Sequence, residues 1–351
     1  MSAVDGSAGY RWLAFTPQDT VFIRDGRAFD AAAQARAQTV RPTPTTVAGA
    51  TAAAFGAEPL EVCGPVLARR VHDEWVPFFP VPLDLVVETD ADSPWVHRLA
   101  VESFDPARAD LEMPGWLVAP QDVGAVTELT GWLSGEQLAD YLAGTLLGKK
   151  GIPQRDLDVS DPVHPEPRVG LAREDDRSVK PGYLYQVTHL RPEPGWGFAV
   201  GCVLPPDWVH HPVATVPFGG RGRLADVERI DELPLPPGPG RVPGGRVLVY
   251  LATPAIWPGG WRIPLPEGAR LEAAAVGEPQ PVATTTAGPR WKQDRVLRWA
   301  VPAGSVYLVR FDDEERAAGW ANRVHGRTYG RAVDDRIRTA GFGLVLTGVW
   351  M

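Results

Sequence analysis

The feature that most restricts this chain is its punctuation: 36 prolines and 37 glycines are spread through 351 residues, leaving few stretches for a long helix. Proline removes a backbone donor and glycine weakens regular structure. At this density they argue for short strands joined by irregular chain rather than for a helical bundle. A 44% share of apolar residues is enough to build cores for two ordinary domains. The expected fold class is α+β.

Periodicity fills in that outline. "YRWLAFTP" alternates as a strand and is closed by Pro17. "TPTTVAGATAAAFG" predicts a small-residue helix entered through Thr45 or Thr46 and stopped by Gly56. "GPVLARRVHDEWVPFFPVPLDLVV" reads as a hairpin followed by extended chain. Residues 93–151 read as an insertion with its own short helices, the clearest being "SGEQLADYLAGTLLG", capped at Ser134. "EPRVGLAREDDRSVKPGYLYQVTHLR" has the form of a hairpin with a charged tip, and "GWGFAVGCVL" supplies another strand. "DELPLPPGPGRVPGG" suits neither helix nor central strand, so 232–243 is expected to link a domain at 1–231 to one at 244–351. After the linker come a strand, a variable connection, two strands, a helix and a last strand. That is the βαββαβ order of a ferredoxin-like unit, and the first half gives the same order loosely. The architecture expected is two tandem ferredoxin-like (RRM-like) domains with insertions.

The net charge is −8, from 43 acidic against 35 basic side chains, which argues against a broad basic surface for duplex DNA. Local charge differs from the sum. Arg24, Arg27, Arg36 and Arg41 crowd the segment before the predicted helix, against only Asp25 and Asp30. In "FGGRGRL", Gly219 and Gly220 stand beside Arg221 and Arg223, a composition that lets amides and guanidinium groups approach an anion. In "HGRTYGR", Arg327 and Arg331 are flanked by glycines and Tyr329 offers a face for base stacking. Each pattern also suits an ordinary solvated loop. Together they suggest a narrow anion groove on an acidic protein.

Signatures of other chemistry fail. "GTLLGKKG" has three residues between its glycines where a phosphate-binding P-loop needs four, and no H-E-x-x-H or G-x-S-x-G pattern occurs. Cys63 and Cys202 are too few for a disulfide framework or a zinc site, so no metal or cofactor is expected. His189 and His325, each near arginines, are the candidates for a general acid or base in RNA cleavage. With no apolar run of bilayer length and no leader pattern, a cytoplasmic location without membrane contact is expected.

Several blocks, in order, carry a family resemblance: "TPQDTVFIRDGRAF", "PTPTTVAGA", "EPRVGL", "GYLYQVTHLR", "PFGG", "YLATPAIWPGGW", "VPAGSVYLVRF" and "AGFGLVLTGVWM". From residue 10 onward the chain resembles the third subunit of the Cmr complex, a repeat-associated mysterious protein (RAMP) of type III-B CRISPR effectors. The resemblance implies two packed ferredoxin-like domains. It also implies a non-catalytic RNA-binding subunit in antiviral defence, which holds the 5′ tag of the CRISPR RNA beside the large polymerase-like subunit and neighbouring RAMP subunits. By that resemblance Arg24, Arg27, Arg41, Thr45 and Thr46 are tag-contact candidates, with Arg221, Arg223, Arg327 and Arg331 second; residues 93–151 match poorly and receive no role. A metal-independent endoribonuclease and a purely structural scaffold are the competing expectations. The basic N-terminal segment contains no histidine, the first being His72, which counts against the nuclease.

Overall fold

The computed structural model describes residues 9–24, 39–89, 92–103, 113–148, 150–205, 211–285, 295–330 and 340–350. In the first half, β1 (Arg11–Pro17) leads through a connection to α1 (Pro44–Phe55), then to β2 (Glu61–Val71) and β3 (Glu74–Pro80). There follow β4 (Trp132–Ser134), α2 (Gly135–Ala143), the hairpin of β5 (Val163–Arg173) and β6 (Val179–Pro192), then β7 (Trp196–Val203), β8 (Thr215–Pro217) and β9 (Leu224–Ile230). Seven of these strands form one sheet in the order β8-β9-β1-β7-β2-β3-β4. In the second half, β10 (Arg246–Leu251), β11 (Ala269–Ala275), β12 (Val306–Phe311), α3 (Glu314–Val324), β13 (Arg327–Thr328) and β14 (Leu344–Val349) build a second sheet, ordered β11-β12-β10-β14-β13. The molecule is a mixed α+β structure dominated by antiparallel sheets.

Alternation along each strand sorts side chains into layers. On the first sheet, Leu13, Phe15, Phe198 and Val200 meet Val47, Ala50 and Ala54 of α1. The opposite face sends Trp12, Ala14, Trp75 and Phe79 into a core shared with Leu248, Tyr250, Leu308 and Leu346 of the second sheet. The outer face of that second sheet, with Val247, Val249, Tyr307 and Val309, packs on Ala317, Trp320 and Ala321 of α3. The layers run helix, sheet, sheet, helix, and the Tyr250 hydroxyl crosses the central core to donate to the Pro80 carbonyl at 2.6 Å. Gly197 on β7 belongs to this packing: an added Cβ would stand 3.1 Å from the Trp75 ring and 2.7 Å from the Phe15 carbonyl oxygen.

The segment between β3 and β5 differs from expectation. Among its described residues it holds one α-helix and several short strands, rather than several helices. β4 completes the edge of the first sheet through Phe79↔Leu133, and Leu138, Tyr141 and Leu142 of α2 enter the shared core. The helix forms where its sequence signals it. Ser134 caps the Gln137 amide, Gln137 returns a bond to the Ser134 amide, and Gly144 closes the far end at φ 76°. The proline-rich 232–243 stretch is packed chain too, with Leu233 and Val242 each 2% exposed.

Candidate nucleic-acid interface

Where β1 ends, residues 18–24 leave the first sheet and pair with the base of β6. The Val21 amide donates to the Leu190 carbonyl at 2.7 Å and the Leu190 amide returns a bond at 2.9 Å. Chain returning towards α1 lies alongside, with the Val40 amide on the Ile23 carbonyl at 2.8 Å and the Thr39 hydroxyl on the Thr188 carbonyl. A third segment, Phe218–Arg223, closes over the same spot through the Gly220 amide, which donates to the Phe22 carbonyl at 2.7 Å. Gly219 makes that approach sterically feasible. Its φ is +89°, and a Cβ there would sit 2.9 Å from the Phe22 carbonyl oxygen.

This meeting of three distant segments assembles an arginine cluster. Asp19 accepts from Arg223 at 2.5 Å, Arg191 at 2.9 Å and Arg168 at 3.3 Å. Glu166 accepts from Arg168 at 2.7 Å and also from Arg191. Three guanidinium groups against two carboxylates leave one net positive charge, set in an acidic molecule. Partial burial alone would raise the Asp19 carboxyl, but hydrogen bonds from Arg191, the Thr20 amide and Arg168 outweigh it and hold Asp19 at about 2. Arg191 and then Arg168 likewise lower Glu166. Around the cluster stand two exposed arginines. Arg24 pairs backbone to backbone with Thr39, and Arg221, at φ 57°, sets its guanidinium 5.8 Å from the Phe22 ring centre.

The sequence-predicted residues divide between this place and others. Arg24, Gly219, Gly220, Arg221 and Arg223 come together as described. Arg41 lies to one side, 4.8 Å over the Trp132 ring and ion-paired with Asp161. Thr45 and Thr46 sit within the first turn of α1; the cap is Thr43, because Pro44, having no amide hydrogen and a fixed φ, takes the first helical position. The Thr43 hydroxyl accepts from the Thr46 amide at 3.4 Å and stands 2.9 Å from the Thr45 hydroxyl. Arg327 lies on β13 of the second sheet, and just past that strand the Tyr329 ring meets Trp320 edge-on at 5.6 Å while its hydroxyl donates to the Pro264 carbonyl at 2.7 Å. Arg27, Arg36 and Arg331 lie outside the described residues.

Asp19, Glu166, Arg168 and Arg191 escaped sequence reasoning. The only signal was charge at alternate positions on two predicted strands, "EPR" and "HLR". Their junction depends on the register Glu166↔His189, which sequence spacing does not reveal.

Both candidate catalytic histidines are buried and make internal contacts. His189 is 3% exposed, stacks on Phe22 at 4.8 Å and places Nδ1 2.8 Å from the Thr20 hydroxyl. Burial, then Arg168 and Arg223, push its pKa down. His325 accepts the Thr347 amide at Nδ1 (2.9 Å), so its proton sits on Nε2, facing the Pro236 carbonyl at 2.8 Å. Both of its ring nitrogens are engaged.

A family model described as CRISPR-associated protein (Cas_Cmr3) matches residues 13–350. The chain belongs to the Cas_Cmr3 family. Among solved structures, this Cas_Cmr3 member is similar to a chain of the type III-B Cmr-beta complex bound to cognate target RNA and AMPPnP. They share 14% identity with a TM-score of 0.49, over 85% of this chain and 86% of that one. A second Cmr-beta structure, bound to cognate target RNA, matches at 14% identity and TM-score 0.48 over the same shares. No curated protein matches the sequence. No helix of the described residues is long and apolar enough to cross a membrane.

Proposed function

We propose that this Cas_Cmr3 family member is a non-catalytic RNA-binding subunit of a cytoplasmic type III-B CRISPR effector, holding the 5′ tag of the CRISPR RNA and docking on the large polymerase-like subunit. The observation that carries the reading is the joining of residues 18–24, the β5–β6 hairpin and the Gly219–Arg223 loop into one arginine cluster flanked by Arg24 and Arg221. Asp19 and Glu166 hold the guanidinium groups in fixed orientations, and each arginine has five donors, more than the carboxylates use. The remaining donors suit phosphate oxygens. A single-stranded end is the form that fits, because irregular loops bearing arginines can follow splayed nucleotides where a rigid duplex would need a broad basic face.

The proposed domain plan is two ferredoxin-like units, residues 1–231 and 244–351, joined by 232–243. Strand order supports it. Taking β1, β2, β7 and β9 as the four strands of the first unit, their order β9-β1-β7-β2 is the 4-1-3-2 order of that fold; β14-β10-β12-β11 repeats it in the second. The first unit carries its helix after strand one and the second after strand three. The rival endoribonuclease reading is weakened by the commitment of His189 and His325 to internal hydrogen bonds.

Filter binding with RNA carrying the repeat-derived tag tests the proposal. The Arg24→Ala/Arg221→Ala pair is expected to lose about tenfold or more in affinity at low salt. The slope of log affinity against log salt should fall by roughly 0.7 for each phosphate contact removed. Unchanged affinity and slope would favour a scaffold that touches only protein.

A further inference from the structure

On the face of the first sheet away from α1, a groove of about 1400 Å³ runs between the proline-rich 231–238 stretch and the end of α3 with β13. Trp12, Trp75 and Ile230 line it from the sheet. It lies on the opposite side of that sheet from the packed layer that contains α1, and none of the arginine cluster lines it. The groove holds five carboxylates, including Asp73, Glu74, Asp231 and Glu232, against the three guanidinium groups of Arg229, Arg323 and Arg327. Glu228 is held internally, accepting from the Trp75 indole at 2.7 Å and from Arg70 at 3.1 Å, and Asp73 lies 3.5 Å from Arg70. Glu74, Asp231 and Glu232 are exposed and take part in no ion pair among the described residues.

We propose that this groove seats a segment of an adjoining protein subunit that presents lysine or arginine side chains to the carboxylate wall. The inference rests on the reading of the chain as a subunit of an effector complex, and adds which surface docks and what chemistry it accepts. Size favours a polypeptide, since ordinary small-molecule sites occupy roughly 300–1,000 Å³. Charge disfavours RNA: a phosphate chain laid beside Glu74, Asp231 and Glu232 meets like charge. The neighbouring wall points the same way. Pro234 and Pro237 have carbonyl acceptors but no amide donors, so the stretch favours an occupant rich in donors, which ammonium and guanidinium groups supply; the carbonyl of Pro236, between them, already accepts from His325. Arg323 and Arg327 on the far side give the groove a polarity that fixes the orientation of the segment.

The test is a charge reversal on the whole chain. The Glu74→Lys/Asp231→Lys/Glu232→Lys variant and wild type are titrated, without RNA, against the other protein subunits of the effector supplied one at a time; tag-RNA binding is measured in parallel. The expected result is at least about a tenfold loss of affinity for one subunit at low salt, shrinking as salt rises, with tag-RNA affinity unchanged. The neutral variant Glu74→Gln/Asp231→Asn/Glu232→Gln should lose an intermediate amount. Equal subunit affinity for wild type and both variants overturns the inference and leaves the RNA reading intact. Tighter RNA binding with subunit affinity unchanged also overturns it, making the groove an RNA path. Failure of wild type to bind any subunit defeats the inference together with the complex-subunit reading.

Discussion

At Asp19, one carboxylate organises three arginines drawn from residues that are 149 to 204 positions away in sequence. Its depressed pKa, about 2 against an ordinary 3.8, links it to acid stability. A lowered carboxyl contributes stability that is present above the unfolded-state value and disappears as pH falls through the folded-state value. That window is pH 4 to 2 in round numbers. Because its side chain is 41% exposed, solvent screens the contribution. Thermal melts of Asp19→Asn should therefore show a modestly flatter loss of Tm between about pH 4 and 2 than wild type. Gly219 acts through shape instead. Gly219→Ala must hold an alanine at φ +89° with its Cβ 2.9 Å from the Phe22 carbonyl oxygen. A cost of about 1–3 kcal/mol is expected, read by denaturant titration, with a weaker grip on tag RNA as the loop shifts.

At the scale of elements, His325 ties the end of α3 to both the linker and β14, beside a direct bond from the Thr347 hydroxyl to the Ala321 carbonyl. His325 reaches the Pro236 carbonyl on one side and the Thr347 amide on the other. Burial lowers its pKa, the Thr347 amide donating to Nδ1 also favours the neutral ring, and the bond to the Pro236 carbonyl only partly opposes this. A histidine kept neutral by burial supplies stability above its unfolded value near 6.5, and that stability is lost as pH falls towards the lower folded-state value. His325→Gln should cost about 1–3 kcal/mol at neutral pH and reduce the decline of unfolding free energy below pH 6.5 or so. His189 shifts in the same direction, so part of the decline should survive. Elements were the most legible part of the sequence, because their signals are local. Ser134 with Gln137 announced α2, alternation announced β1, the apolar run "GWGFAVGCVL" announced β7, and the β5–β6 hairpin formed around its charged tip. The start of α1 was missed by two or three residues because Pro44 at the first helical position outweighed the threonines that follow it.

For the whole molecule, two sheets share one core, entered at one end by α2, and carry α1 and α3 on opposite outer faces, so the two proposed surfaces point different ways. The arginine cluster gathers at the end of β1 around the hairpin, while the acidic groove opens on the other face of the same sheet. This arrangement accounts for a net charge of −8 on a protein proposed to hold RNA: the basic groups are concentrated and the acidic ones serve elsewhere. It also marks the limit of reading from sequence. Arg24, Arg221 and Arg223 were visible because glycines and neighbouring arginines flagged them. Arg168 and Arg191 were hidden because strand register brings them to Asp19, and Arg327 proved to face the acidic groove because β13 belongs to the second sheet. The most direct measurement is photocrosslinking of the assembled effector with 4-thiouridine placed in the 5′ tag, followed by peptide mapping of this chain. Adducts are expected within 18–24 and 218–223 and on the β5–β6 hairpin; adducts confined to the acidic groove, or to other subunits alone, would contradict tag binding by the arginine cluster.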